Sequence, residues 1–216
     1  EMTSSLVGSE MCIRDSPIEK AVIAFIESVL FTTLTNVNFD AEVHVQLLQE
    51  SQKIKDSLRE KVSASEGSSN LHDSDYCSCH TAQAQYRLPS TKSEMLHDAP
   101  IAGIMYDKSL DPDIRSLRQT ILYGLKGISA YGHQARELGY CSDQVDSLYI
   151  TALESLTDDR LTVEELIRMT MRTGEAAIEV MKVLDEANTS VYGNPSPHTV
   201  NVHIRKGPFI IVSGHD

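Results

Sequence analysis

The spacing of the apolar residues changes once along this chain, near residue 199. Up to about residue 187 apolar residues recur every three or four positions, which predicts amphipathic α-helices. From residue 199 they alternate with polar residues, and they then form the continuous run Phe209–Val212, which is typical of a strand buried on both faces of a parallel sheet. The sequence therefore predicts a mainly α protein, a multi-helix bundle followed by the first strands of a truncated α/β (Rossmann-like) domain.

Signals for helix starts divide the first part of the chain into separate helices. Capping-box patterns begin at Ser16 and Thr162, and Asp111-Pro112 opens the longest apolar-periodic segment. The segment 63–75 is polar and predicts a loop, whereas 76–110 shows only weak periodicity. We predict five main helices, and two short ones near 81–86 and 92–106; the main helices cover about 17–33, 41–62, 112–138, 143–156 and 163–187.

These patterns also set the predicted domain boundaries. Residues 17–190 form the helical bundle domain, and 199–216 begin the α/β domain. Residues 1–16 lack periodicity and lack the basic start and apolar core of a signal peptide. They resemble translated adaptor sequence, so we interpret them as a non-native or disordered leader. Because a strand such as 209–212 needs ladder partners, we expect its sheet to lie beyond residue 216 and the chain to be a fragment.

Composition excludes several classes of function. The chain has 19 Lys and Arg against 31 Asp and Glu, a net charge of −12 that repels phosphate backbones and predicts no nucleic-acid partner. No run of about 18 apolar residues is present, which predicts no membrane span. The cysteines at 12, 77, 79 and 141 match neither a disulfide framework nor paired metal knuckles, and they favour the cytoplasm or another reducing compartment.

The longest predicted helix contains three glycines, Gly124, Gly127 and Gly132. Each costs up to about 1 kcal/mol relative to alanine in an exposed helix. We therefore expect another part of the protein to pack closely against this helix. Four side chains of this helix could carry a function: Lys126, Tyr131, His133 and Arg136. They either line a substrate path or contact another domain, and the alternative is an ordinary solvated or hydrogen-bonded helix face.

Two positions are candidates for metal ligation. His215 follows the buried-type strand and the small turn Ser213-Gly214, which is where ligands bind in α/β sheets. An imidazole there can ligate a metal or transfer protons, and the alternative is a loop histidine without a role. The segment Cys77-Ser78-Cys79-His80, with His72 nearby, has suitable ligand types. No second pair lies at knuckle spacing, so chance is the better explanation of that segment.

Four segments, in the same order, resemble the hybrid-cluster proteins (the hydroxylamine reductase or prismane family). They are VLFTTLTNVNFD (29–40), SLRQTILYGLKGISAYGHQARELGY (116–140), RTGEAAIEVMKVLDEANTSVYGNP (172–195) and KGPFIIVSGHD (206–216). The resemblance covers about 17–62 and 106–216. In that family an all-helical domain precedes two α/β domains, so the resemblance implies an amino-terminal fragment.

The resemblance also implies chemistry. Members reduce hydroxylamine to ammonia, and nitric oxide as well, at a hybrid iron–sulfur–oxygen cluster of the 4Fe-2O-2S type. His215 stands where the family has a cluster ligand in its VSGHD turn, which makes it the predicted cofactor-binding and metal-ligating residue, while the catalytic residues stay unknown. The implied partners are the small nitrogen substrate and an electron-donor redox protein. One ligand cannot hold a four-iron cluster, so the fragment alone is expected to be inactive.

Family members carry a second cluster, 4Fe-4S or 2Fe-2S, on four closely spaced cysteines near the amino terminus. None of the four cysteines of this chain matches that motif. Two alternatives stay open. A relative of the carbon monoxide dehydrogenases shares the architecture but needs a different ligand set after residue 216. A non-catalytic helical interaction module fits the helices but not the buried-type strand at 209–212.

Overall fold

The computed structural model describes residues 17–35, 37–66, 86–103, 107–204 and 206–212. The mainly α prediction is confirmed, because helices account for most of these residues. Six helices lie in the described ranges. They are α1 (Pro17–Thr32), α2 (Ala41–Glu66), α3 (Lys92–Ala102), α4 (Pro112–Glu137), α5 (Asp143–Ser155) and α6 (Val163–Tyr192).

Local capping explains where the helices begin. The predicted capping box of α6 is confirmed: the backbone amide of Glu165 donates to the Thr162 hydroxyl, and the Glu165 carboxylate accepts from the Thr162 amide at 2.8 Å. Asp111 caps α4 by accepting from the amide of Asp113 at 2.7 Å. Ser142 stands at the start of α5, as predicted, but its side chain makes no capping hydrogen bond.

The core lies where α1, α5 and α6 surround α4. Its fully buried apolar side chains include Ile121, Leu125, Ile128, Tyr149 and Leu166. This arrangement follows from the apolar stripe of α4, whose members recur at helical spacing and face three neighbouring helices. The four helices therefore form one packed bundle.

Two of the three α4 glycines explain how closely α6 and α1 approach. A Cβ on Gly124 would stand 2.6 Å from Cγ2 of Thr173, and one on Gly132 would stand 2.5 Å from Oε2 of Glu27. The prediction of close packing is confirmed at these two positions. At Gly127 it is wrong for the described part of the protein, since a Cβ there would meet nothing within 4 Å.

Helices α2 and α3, with the irregular segment 86–90 that precedes α3, form a lobe beside the bundle. The α2–α3 lobe is held mainly by polar contacts: Lys55 donates to the carbonyl of Tyr86, and the amide of Leu88 donates to Gln52 at 3.2 Å. Met95 of α3 supplies a buried apolar anchor. The lobe therefore has far less buried apolar surface than the bundle.

The predicted strands at 199–212 are not present in the described part of the chain. Both segments are irregular, and their large apolar side chains, from Val200 to Val212, are 61–97% exposed. The physical reason is that a strand needs a neighbour for its amide and carbonyl groups. No such neighbour lies among the described residues, so this part of the fold prediction is not borne out here.

Candidate functional site

A buried ionic network joins α1, α4 and α5, and it is the most distinctive polar feature among the described residues. The guanidinium of Arg136 donates from Nε to Oε1 of Glu27 at 2.9 Å and from an Nη to Oδ1 of Asp146 at 2.5 Å. The side chains of Glu27 and Asp146 are only 1% and 8% exposed. We call these three residues the carboxylate clamp.

The helix registers explain why the clamp residues meet. Glu27 lies one turn after the buried Ile23, on the same stripe of α1, so its carboxylate enters the core. Arg136 lies one turn after Gly132 on α4, and Asp146 lies near the start of α5. Gly132 lacks a side chain where the Glu27 carboxylate approaches the backbone of α4. This close approach brings the carboxylate within reach of Arg136.

The clamp has two carboxylates for one guanidinium. Burial alone would lower the pKa of Arg136, but its hydrogen bonds and attraction to Glu27 and Asp146 outweigh that effect and raise the pKa above its usual value. Arg136 therefore stays charged. Because a buried charge without a partner is strongly destabilising, both carboxylates depend on Arg136.

Tyr149 extends the polar network into the core. Its hydroxyl lies 2.9 Å from the Ser129 hydroxyl, which itself lies 2.9 Å from the carbonyl oxygen of Leu125. A carbonyl can only accept, so the Ser129 proton points to Leu125 and the Tyr149 hydroxyl donates to Ser129. Burial raises the pKa of Tyr149 well above its ordinary value, and the negative charge of Glu27 adds to the rise.

The space beside the clamp is too small for a substrate. The cavity between Glu27, Arg136, Asp146 and the α4–α5 turn has a volume of about 10 Å³. That is the volume of about one water-sized probe. A site for chemistry needs room for a reacting molecule, so within the described residues the clamp acts as a structural tie between helices.

The predicted metal-ligating residues lie outside the part of the protein that the structure describes. His215, the segment Cys77-Ser78-Cys79-His80, His72 and Cys12 all lie outside the described residues. Cys141 is described and is exposed in the turn between α4 and α5. The described residues contain no group of three or more His, Cys, Asp or Glu side chains that could hold a metal ion.

The four candidate side chains of α4 point to different environments. The Lys126 ammonium lies over the Tyr123 ring, 5.9 Å from its centroid, and Tyr131 is exposed. The His133 ring packs against Phe31 of α1 with their centroids 4.4 Å apart. Arg136 alone belongs to the clamp. These four residues therefore do not form one substrate path within the described structure.

Sequence reasoning missed Glu27, Asp146 and Tyr149. One signal was available for Glu27, because it is a charged residue on the apolar stripe that contains Ile23 and Leu30. A carboxylate in such a position needs a buried partner. The identity of that partner depends on tertiary packing, so the spacing of residues along the sequence does not predict it.

Comparisons with known proteins extend over nearly the whole chain. A family model described as "Prismane/CO dehydrogenase family" matches residues 6–216. The hydroxylamine reductase of Clostridium perfringens is 37% identical over 199 residues, which are 92% of this chain and 35% of that protein. The corresponding protein of Acetivibrio thermocellus is 40% identical over 189 residues, which are 88% of this chain and 32% of that protein.

A third relative, the hydroxylamine reductase of Desulfitobacterium hafniense strain Y51, is 34% identical over 215 residues. These residues are 99% of this chain and 36% of that protein. The chain thus spans about a third of the length of the relatives that it matches. In the ranges that the structure describes, every helix is too short or too polar to cross a membrane.

Proposed function

Since the chain belongs to the prismane/CO dehydrogenase family, we propose that it is the amino-terminal, helical part of an oxidoreductase that reduces hydroxylamine to ammonia. The observation that carries this proposal is the alignment of 88–99% of the chain with relatives named hydroxylamine reductase, at 34–40% identity. The proposed activity includes reduction of nitric oxide.

The proposed cofactors are a hybrid iron–sulfur–oxygen cluster and a second, ordinary iron–sulfur cluster. The described residues do not fit either group, because a four-iron cluster needs several thiolate or carboxylate ligands and the single described cysteine, Cys141, is exposed and isolated. We therefore propose that the ligands lie outside the described residues, with His215 as one of them. The same proposal includes a reducing compartment and an electron-donor redox protein.

The described helices would then serve as a rigid support. Helix α6 has 30 residues, about 45 Å at the rise of an α-helix, and its contacts with Gly124 and Gly132 fix it along α4. It ends at Gly193, whose φ of 81° allows the chain to leave the helix axis. We propose that residues 199–212 continue from this support into an α/β domain, where 209–212 becomes a paired strand.

The test is a measurement on the full-length protein, purified without oxygen. We expect several iron and sulfide ions per chain and hydroxylamine-dependent oxidation of a reduced viologen dye. The variant His215→Ala should lose most of this activity and change the paramagnetic resonance of the cluster. The matched control is His203→Ala, since His203 is an exposed histidine of the same tail, and it should leave both unchanged.

Three outcomes would contradict the proposal. A full-length protein without iron would remove the cluster assignment. Unchanged activity and resonance in His215→Ala would remove His215 from the ligand set. Reduction of the dye by carbon monoxide, without oxidation of the dye by hydroxylamine, would favour the carbon monoxide dehydrogenase alternative that shares the family description.

A further inference from the structure

One side of the α4–α6 pair is not covered by the rest of the bundle. Helices α1 and α5 cover the opposite side, where Glu27 meets Gly132 and Tyr149 meets Ser129. The uncovered side contains two glycines and six large side chains that are 44–65% exposed. We call it the glycine face; its residues are Tyr123, Gly127, Tyr131, Ile167, Met171, Gly174, Ile178 and Met181.

The two glycines lie at nearly the same height on neighbouring helices. Gly124 contacts Thr173 and Gly132 contacts Val180, so α4 and α6 run parallel. Gly127 is three residues beyond the first contact and Gly174 is one residue beyond it, heights of about 4.5 Å and 1.5 Å. Each residue turns a helix by about 100°. The three steps from Gly124 to Gly127 and the one step from Thr173 to Gly174 therefore both end on the uncovered side of the parallel helices. A Cβ on either glycine would meet nothing within 4 Å.

An apolar stripe of α6 runs through Gly174. Ile167, Met171, Ile178 and Met181 are spaced four, seven and three positions apart, with Gly174 in the middle of the gap of seven. This is the alternating three–four spacing of a helix face that packs against another element. A glycine in the middle of such a stripe costs helix stability, and close approach of another backbone is the usual compensation.

We propose that the glycine face is covered by the α/β part of the same polypeptide, the part that residues 199–212 begin. The inference rests on the proposed function, because that proposal supplies the α/β part. Besides the glycine face, the exposed apolar side chains of residues 199–212 form a second unpartnered apolar surface. In addition, the relatives are about three times as long as the chain. The same polypeptide therefore has both the apolar surface and the length to cover the face.

The length of the tail permits this arrangement. From Tyr192 back to Gly174 the distance along α6 is about 27 Å. The 16 residues from Gly193 to Pro208 reach about 50 Å when extended. Residues 209–212, and the domain that they begin, can therefore lie over the middle of the glycine face.

A second copy of the chain is a poorer occupant because of charge. An antiparallel pairing of α6 centred on Glu175, next to Gly174, would set Glu175 against Glu175 of the partner subunit. It would also set Arg168 against Lys182 of the partner subunit. Like charges facing each other across a helix pair are destabilising, so the charge pattern disfavours self-association through this stripe.

Hydroxyl-radical footprinting of the full-length protein tests the proposal, with labelling compared to the same protein unfolded in urea. We expect several-fold protection of Met171, Met181 and Tyr131. Phe39, which lies just before α2, and Leu96 of α3 are exposed; they serve as references and should stay close to the unfolded rate. Labelling of Met171 and Met181 as fast as these references would overturn the proposal.

Two variants add a test through the glycines themselves. In the 216-residue chain, Gly127→Gln and Gly174→Gln should raise the midpoint of thermal unfolding, because glutamine favours a helix more than glycine does. In the full-length protein the same substitutions should lower the midpoint and restore labelling of Met171. The matched control is Ser190→Gln, at an exposed position of α6 away from the stripe. It should change the midpoint of thermal unfolding in the same direction in both proteins.

The remaining outcomes separate this inference from the proposed function. Protection of the face in a full-length protein without iron would uphold the inference and contradict the function. An iron-containing, active protein with a freely labelled glycine face would uphold the proposed function and contradict the inference. Protection that appears only with a dimeric mass in light scattering would identify a second copy as the occupant and overturn the inference.

Discussion

The carboxylate clamp and the α2–α3 lobe use the same residue types with different consequences. In the clamp, the side chains of Glu27 and Asp146 are almost fully buried and share one guanidinium. In the lobe, Arg87 pairs with Asp56 and Lys92 pairs with Glu42, and the four side chains are 42–66% exposed. This difference in burial determines how strongly the loss of one partner of an ion pair lowers the stability of the fold.

The physical reason lies in what replaces a lost partner. Water solvates an exposed charge whose partner is removed, so a surface pair contributes roughly 0–1 kcal/mol. Inside the bundle the Glu27 and Asp146 side chains are only 1% and 8% exposed, so water compensates them poorly and breaking a buried pair costs about 3–5 kcal/mol. The bundle should therefore be sensitive to single substitutions that the lobe tolerates.

The largest expected effect is that of Glu27→Ala. Arg136 would lose the partner bound at 2.9 Å, and a cavity would open beside Gly132. Asp146 still neutralises Arg136, but buried charge-assisted hydrogen bonds are lost and the cavity remains. We therefore expect the free energy of unfolding to fall by about 3–5 kcal/mol, measured by urea denaturation. The matched control is Glu42→Ala in the lobe, which should cost less than about 1 kcal/mol. Equal losses in the two variants would erase the distinction between the two regions.

The next-largest expected effect is the difference in stability between alanine substitutions at two glycines of α4. In Gly132→Ala the new methyl group would stand 2.5 Å from Oε2 of Glu27 and 3.4 Å from Cγ2 of Val180. Overpacking of this kind costs about 1–3 kcal/mol. Gly127→Ala, which meets nothing within 4 Å, should instead gain up to about 1 kcal/mol in the 216-residue chain. Thermal unfolding of both variants gives the comparison, and a gain at Gly132 would contradict it.

Removal of the Tyr149 hydroxyl tests the polar extension of the clamp. Tyr149→Phe should destabilise the bundle by about 0.5–1.5 kcal/mol, because Ser129 keeps its bond to Leu125 and only one hydrogen bond is lost. Urea denaturation measures this loss. A cost as large as that of Glu27→Ala would mean that the hydroxyl is an obligatory member of the clamp.

The raised pKa of Tyr149 predicts a change of stability at alkaline pH. The folded protein holds the phenolic proton more tightly than the unfolded chain, so this contribution is present below the ordinary tyrosine pKa of about 10 and is lost as pH rises through the folded value. Absorbance titration of phenolate should find one of the eight tyrosines silent until unfolding. The Tyr149→Phe variant should lack that silent group.

The smallest expected effect is in the lobe at acidic pH. The hydrogen bond from Gln52, followed by that from Arg87, lowers the pKa of Asp56 below its usual value. The contribution of Asp56 is therefore present above about pH 4 and is lost as pH falls through the lowered pKa. Hydrogen exchange of residues 86–90 should quicken there, and Asp56→Asn should remove most of that pH dependence. An unchanged dependence would show that Asp56 does not hold this segment.

The contrast also explains what the sequence could predict. Helix ends at Thr162 and Asp111 depend on neighbours within three residues, so the local pattern was sufficient. The strands at 199–212 depend on partners that are absent from the described residues. The clamp depends on contacts between residues 27 and 136, which are 109 positions apart, and no periodicity specifies that pairing.

The clamp also has a consequence for the order of events during synthesis. Asp146 follows Arg136 by only 10 residues, so α4 and α5 can pair as soon as both have left the ribosome. Helix α1 emerges first, but its Glu27 must wait for a residue made 109 positions later. At 5–20 residues per second, the nascent helix carries a solvated carboxylate on its apolar stripe for about 5–20 s. During that interval α1 cannot nucleate the bundle through this contact.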